Sequence, residues 1–193
     1  GVAIGDLDGD GKADMVISNY SSSTISVMRK TSSTGIINLS SFSSPVSFST
    51  GVGFNPSSVV IGDLDGDGKK DIVVTSYFGN SISVYRNTSV LGTIDASSFA
   101  AKVDFATGST PYEAKLGDVD GDGKLDVIAV NQGSTSISVL RNTSIMGVIN
   151  SNSFASKVDF TTGIEPTSVE FGDIDGDGKG DVVTTNRNAA TIS

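Results

Sequence analysis

Four short loops hold most of the acidic side chains of this 193-residue chain. Each loop has aspartate at positions 1, 3, 5 and 9, glycine at 4 and 6 and lysine at 7, as in DVDGDGKLD from Asp118 to Asp126. Sixteen of the 22 acidic residues lie in these loops, whereas the 13 lysines and arginines are scattered. Carboxylates this concentrated repel one another strongly unless a cation lies among them. The pattern therefore predicts metal sites.

The spacing within each loop favours calcium. Carboxylates at positions 1, 3 and 5 converge on one ion if the chain curls between them, and glycine reaches the backbone angles that the curl needs. Position 7 offers its carbonyl, so its lysine side chain is expected to point to solvent, and the aspartate at position 9 closes the site with two oxygens. About six protein oxygens and a water suit calcium, whereas magnesium demands a stricter octahedron. The predicted ligands of up to four Ca²⁺ ions are Asp6, Asp8, Asp10, Lys12 and Asp14; Asp63, Asp65, Asp67, Lys69 and Asp71; Asp118, Asp120, Asp122, Lys124 and Asp126; and Asp173, Asp175, Asp177, Lys179 and Asp181.

Other chemistry finds little support. The chain has no cysteine and no histidine, which disfavours zinc and copper and leaves no Ser-His-Asp triad or Cys-His dyad. Paired carboxylates can perform acid–base catalysis, but here they keep ligand spacing in every copy, so no catalytic residue is predicted. An ion-free Asp/Gly turn is the alternative for a single loop, and four complete copies disfavour it. No apolar run is long enough for a membrane span, and no basic stripe indicates nucleic-acid binding.

The loops recur because the whole sequence repeats. Their first aspartates are 57, 55 and 55 residues apart, and similar apolar, Ser/Asn/Gly-turn and Ile-Ser-Val segments follow each loop. Each repeat is interpreted as four short strands, which predicts an all-β fold of β-propeller blades with four antiparallel strands. A linear β-solenoid is the alternative. The predicted single array divides into blades at about residues 1–52, 53–108 and 109–163, with a partial fourth at 164–193.

The repeat resembles a known family on three features. These are a Phe-x-x-Gly segment (Phe105 to Gly108), a proline shortly after it (Pro111) and the Asp118–Asp126 loop. The unit resembles the FG-GAP or VCBS repeat, the blade of the integrin α-subunit propeller and of many secreted bacterial proteins. The resemblance implies a calcium ion in the hairpin between the first two strands of each blade. Such propellers commonly have about seven blades, so this chain, with about three and a half, is expected to be a fragment or half of a larger ring, completed by the same polypeptide or a second chain.

The leading functional prediction is a non-enzymatic, calcium-binding extracellular scaffold for adhesion or recognition, secreted or on a cell surface. Its ligand is expected to be a protein or a glycan. The alternative is a carbohydrate-binding, lectin-like module, free or attached to a secreted polysaccharide-degrading enzyme. A catalytic propeller would need non-repeated polar residues converging on one face, and the sequence shows none.

Three smaller patterns receive structural interpretations. The arginines Arg29, Arg86 and Arg141 recur once per blade and are interpreted as blade-edge pairs or solvated side chains. Four asparagines begin glycosylation sequons that chance explains in so Ser/Thr-rich a chain; they are Asn19, Asn38, Asn87 and Asn142. The tyrosines occupy differing registers and are interpreted as packing residues rather than sugar-stacking ones; they are Tyr20, Tyr77, Tyr85 and Tyr112.

Overall fold

The computed structural model describes all 193 residues and consists of β-strands, turns and two short 3-10 segments. The first two sheets contain β1 (Val2–Gly5), β2 (Asp14–Asn19), β3 (Thr24–Met28) and β4 (Val46–Ser49), then β5 (Pro56–Gly62), β6 (Asp71–Ser76), β7 (Ser81–Tyr85) and β8 (Val103–Ala106). The third contains β9 (Pro111–Gly117), β10 (Asp126–Asn131), β11 (Ser136–Leu140) and β12 (Val158–Thr161), and the fourth β13 (Pro166–Gly172), β14 (Asp181–Asn186) and β15 (Thr191–Ile192). None of its helical segments has the length and apolarity to cross a membrane.

Every sheet is an antiparallel meander in which sequence order equals spatial order. The first strands β1, β5, β9 and β13 pack successively against one another, so the sheets radiate from one side as blades do. This confirms the predicted propeller blades and excludes the solenoid, whose strands would pair from coil to coil. Val, Ile, Ser and Thr dominate the strands, as expected for pleated, buried surfaces.

The hydrophobic core lies between the blades rather than inside any one of them. Successive side chains of a strand point to opposite faces of the sheet, so β6 sends Val73 toward the third sheet and Val74 toward the first. Val73 packs in a cluster with Ala129 of β10, and Val74 packs in another with Val16 of β2. All four residues are buried, so each blade is stabilised by its neighbours.

A long connection joins the third strand to the fourth in each of the first three blades. In the second blade it forms an isolated bridge between Asn87 and Phe99, and in the third an equivalent bridge joins Asn142 to Phe154. The Phe154 ring stands edge-on to Phe105 of the second blade at 4.8 Å between centroids. The connections therefore pack against the preceding blade and lengthen the repeat.

Candidate metal centre

Each acidic loop is the hairpin between the first and second strands of its sheet. In the second loop Gly66 and Gly68 have φ values of 70° and 87°, in the left-handed region. Glycine adopts this region without the steric penalty of a Cβ, and the chain therefore curls back on itself as the sequence predicts.

The curl brings carboxylates together in all four loops. Three aspartates per loop place one oxygen each within 4.8 Å of the others. Positions 1 and 3 belong to every set, and the third member comes from position 5 or position 9. The sets are Asp6, Asp8 and Asp10; Asp63, Asp65 and Asp71; Asp118, Asp120 and Asp122; and Asp173, Asp175 and Asp181.

Backbone N–H groups orient the carboxylates at positions 1, 3 and 5. In the third loop Asp118 Oδ1 accepts from the Gly121 N–H and its Oδ2 from the Gly123 N–H, both at 2.8 Å. Asp120 Oδ1 accepts from the Asp122 N–H at 3.2 Å. A carboxylate oxygen has two lone pairs, so one hydrogen bond on each still leaves room for a cation.

The aspartate at position 9 is buried in the first three loops. Asp71 is fully buried, and its Oδ2 and Oδ1 accept from the N–H groups of Leu64 and Asn87 at 3.0 and 2.8 Å. Burial raises the pKa of Asp71 to about 7, and it raises the pKa values of Asp14 and Asp126 as well. A bound cation would favour the charged carboxylate and offset this effect.

One carboxylate oxygen without a hydrogen-bond partner indicates whether these residues suit a metal ion. Asp63 Oδ1 is buried without any hydrogen-bond partner, whereas the equivalent Asp118 Oδ1 accepts from Gly121. A buried, unpaired carboxylate oxygen is costly unless a cation or water satisfies it. Because the donor set contains only oxygens, the residues fit calcium. All twenty predicted ligands, including the position-9 aspartates and the lysine carbonyls, lie in these four hairpins. Their coordination of an ion stays a prediction.

Three of the four lysines at position 7 are exposed, as expected, but the ammonium group of every one has a hydrogen-bond partner. Lys69 and Lys124 donate from Nζ to the carbonyls of Ser89 and Ser144, both at 2.8 Å and both partly buried. Lys12 and Lys179 instead pair with the position-5 aspartate of their own loops. The pairing of Lys12 with Asp10 affects the pKa of that aspartate. Burial alone would raise the pKa of Asp10, but hydrogen bonds from Lys12 and Arg29 outweigh burial, so the pKa is lowered.

Two arginines outside the loops bind loop aspartates, and this contact was not predicted from the sequence. Arg29 Nε donates to Asp8 Oδ2 at 2.6 Å and its Nη2 to Asp10 Oδ2 at 2.8 Å. Arg86 repeats the fork on Asp65 and Asp67 at 2.6 and 2.7 Å. In the third loop Arg141 lies 3.8 Å from Asp120. The sequence contains one sign of this contact. Each arginine directly follows the third strand of its blade, and that strand pairs with the second strand, which begins at the position-9 aspartate of the loop.

The sequon asparagines divide by exposure. Asn87 and Asn142 are fully buried, and each side-chain amide donates to two backbone carbonyls. The folded chain therefore has no room for a glycan at either residue. The Asn19 amide bonds to Thr24 and Ser26, whereas Asn38 is exposed.

The four tyrosines comprise one buried residue and three that line a surface cleft. Tyr85 is a packing residue, since it is buried and its hydroxyl donates to the Ser49 carbonyl at 2.7 Å. The other three meet despite their differing registers: Tyr77 stands edge-on to Tyr20 and Tyr112 at centroid distances of 6.0 and 6.3 Å. They line an open cleft of about 570 Å³ together with Ser58 and other polar residues.

Comparison with known proteins identifies one family. The profile described as "FG-GAP-like repeat" matches residues 6–74, 63–129 and 118–184. Each matched segment starts at the first aspartate of a loop and ends in the second strand of the next blade. The matches together span residues 6–184, and a search of curated proteins finds no match.

Proposed function

This chain belongs to the FG-GAP-like repeat family, and on that premise we propose that it is a calcium-binding, non-enzymatic scaffold that acts outside the cell in adhesion or recognition. Its blades supply a rigid β-propeller-like framework, and calcium holds the loops at one edge of the blades. The partner that it would display or bind is a protein or a glycan.

One observation carries the proposal: four hairpins each gather three carboxylate oxygens within 4.8 Å. Without a cation such a cluster repels itself, and the buried Asp63 Oδ1 has no partner. An all-oxygen set of this charge is typical of calcium.

The extracellular part of the proposal supposes that these loops have the calcium affinity of extracellular modules. Calcium sites of extracellular modules have Kd values of about 10⁻⁴ to 10⁻³ M. Such sites fill outside cells and stay largely empty in the cytosol, so a scaffold that depends on them would be rigid only outside.

Calorimetric titration of the chelator-treated chain tests the proposal. We expect up to four calcium ions per chain and a distinctly weaker response to magnesium, because calcium accepts irregular sets of oxygen ligands whereas magnesium demands a near-ideal octahedron. The matched control is a variant with asparagine at positions 1 and 3 of all four loops, which keeps side-chain shape but removes charge. Calcium binding by this control equal to that of the native chain would contradict the proposal.

Carbohydrate binding is the second candidate, and the tyrosine cleft favours it. Tyr20 and Tyr112 are 42% and 43% exposed there, so their rings offer apolar faces beside the Ser58 hydroxyl and the Glu113 carboxylate. Saccharides present both apolar C–H faces and hydroxyl groups, which such a mixed surface can satisfy together.

A glycan array separates this candidate from a protein-binding scaffold. If the cleft binds saccharide, Tyr112→Ala should weaken binding at least about tenfold, the equivalent of 1.4 kcal/mol. Phe78→Ala is the matched control, because Phe78 is exposed and touches Tyr77 but does not line the cleft. Equal losses in both variants, or no glycan bound, would exclude the cleft. Hydrolysis of a bound glycan would contradict the non-enzymatic assignment.

A further inference from the structure

A line of hydrogen bonds joins the first acidic loop to the second. The Leu7 N–H donates to Asp14 Oδ2 at 2.9 Å, and the Leu7 carbonyl accepts from Asn87 Nδ2 at 2.8 Å. The Asn87 N–H then donates to Asp71 Oδ1 at 2.8 Å. Asp14 and Asp71 are the position-9 aspartates of consecutive loops, so one asparagine lies between two candidate metal sites.

The same line continues into the third loop. Asp71 Oδ2 accepts from the Leu64 N–H, and the Leu64 carbonyl accepts from Asn142 Nδ2 at 2.8 Å. The Asn142 N–H donates to Asp126 Oδ1 at 2.7 Å. Three loops in three blades are therefore connected by two equivalent asparagine bridges.

The two asparagine bridges are buried, and further hydrogen bonds support the first of them. Asn87, Asn142, Asp14 and Asp71 are each 0% exposed, so water cannot replace a broken bond at these residues. The Ser89 hydroxyl and the Gly92 N–H, from the same connection as Asn87, also bond to the carbonyls of the first loop at 2.9 and 3.0 Å. In a dry interior an unmade hydrogen bond is costly, so displacement of one carboxylate is transmitted along the line.

We propose that Asn87 and Asn142 couple neighbouring calcium loops, so that calcium binding by one loop strengthens binding by the next. The inference rests on the proposed calcium function. A cation that fixes the Asp71 carboxylate also fixes the Asn87 backbone, whose side chain holds Leu7 and, through it, Asp14. The second loop to bind then loses less conformational freedom than the first, which gives positive cooperativity. The coupling is reciprocal between the two loops.

The first blade contains a natural control for the bridge. Lys30 occupies the place of Asn87, and its N–H likewise donates to the position-9 aspartate, Asp14 Oδ1, at 2.8 Å. Its side chain instead bonds to Ser32 within the same connection. Lys30 therefore shares the backbone contact but links no second loop.

The test uses variants of the 193-residue chain with two loops intact. Asparagine at Asp118, Asp120, Asp173 and Asp175 leaves the first two loops, which Asn87 bridges. Calorimetry should show the second calcium ion binding at least about fivefold more tightly than independent identical sites would allow. Asn87→Ala should abolish this enhancement, whereas Lys30→Ala should leave it unchanged.

A second pair of intact loops separates bridging from general electrostatics. With the second and fourth loops disabled, the first and third remain and share no single asparagine. This pair should bind calcium with clearly weaker cooperativity than the neighbouring pair, because the line between them crosses two bridges and a loop that no longer binds calcium. Native Asn87 is retained in this comparison, so it remains informative if Asn87→Ala does not fold.

The outcomes distinguish the two proposals. If no loop binds calcium, the proposed function fails. If calcium fills neighbouring loops independently or with negative cooperativity, the function stands and the coupling is overturned. Cooperativity that survives Asn87→Ala in a folded variant, or that is equally strong in the non-neighbouring pair, also overturns it. Folding of each variant is checked by its melt in chelator.

Discussion

Removal of calcium will lower the melting temperature of this chain by roughly 12 to 24 °C, because about 6 kcal/mol changes the melting temperature of a domain of this size by that much. A ligand that binds only the folded state stabilises it by RT ln(1 + [L]/Kd), which is about 1.4 kcal/mol at ten times Kd. Four independent sites contribute about 6 kcal/mol, comparable with the whole stability of many domains. The measurement is calorimetric melting in about 10 mM calcium, ten times the upper Kd of extracellular sites, and in excess chelator.

The control for this melt is the variant with asparagine at positions 1 and 3 of every loop. Its melting temperature should respond little to chelator, because it has lost the ligands at the centre of each set. In chelator it should melt no higher than the native chain, because the relief of carboxylate repulsion is offset by the loss of backbone N–H bonds at position 1 and of the arginine pairs at position 3. A native melting temperature that ignores chelator would contradict the calcium assignment.

The acidic loops could be predicted from sequence because their ligands are contiguous. Asp118, Asp120 and Asp122 converge through the curl at Gly121 and Gly123, and no distant residue is needed to bring them together. Blade architecture was equally accessible, since each strand pairs with the next along the chain. Local spacing therefore contained most of the information about the fold and about the candidate ligands.

Contacts between blades could not be predicted in this way. Asn87 contacts Leu7 across 80 residues, and nothing in an Asn-Thr-Ser triplet distinguishes a buried bridge from a sequon. Arg86 is 19 and 21 residues from the carboxylates it pairs with, so its role depends on how β6 and β7 align. Tyr20, Tyr77 and Tyr112 meet because the three blades that carry them pack side by side, which is a property of the tertiary fold.

Three substitutions in the second loop will separate ligand, backbone and side-chain roles. Asp65→Ala removes a nearly fully buried carboxylate from the metal set, so calcium should no longer stabilise this loop. In chelator this variant should melt near the native chain, because the lost Arg86 pair is offset by reduced repulsion among the remaining carboxylates. The loss should therefore appear in the calcium-dependent part of the melting temperature.

Gly68→Val and Lys69→Ala complete the test, with opposite expected results. Gly68 has a φ of 87° and open space around it, so a valine there is strained by its backbone alone, at a cost of about 1–3 kcal/mol. A loop that relaxes away from the curl to escape this strain no longer gathers its carboxylates, so this variant should melt lower in both conditions and bind calcium more weakly. Lys69→Ala removes one partly buried bond to the Ser89 carbonyl and keeps the Lys69 backbone carbonyl, so the melting temperature and calcium affinity should change little. If Lys69→Ala proves the most damaging of the three, the loop holds its cation in some other way than through aspartates and a backbone carbonyl.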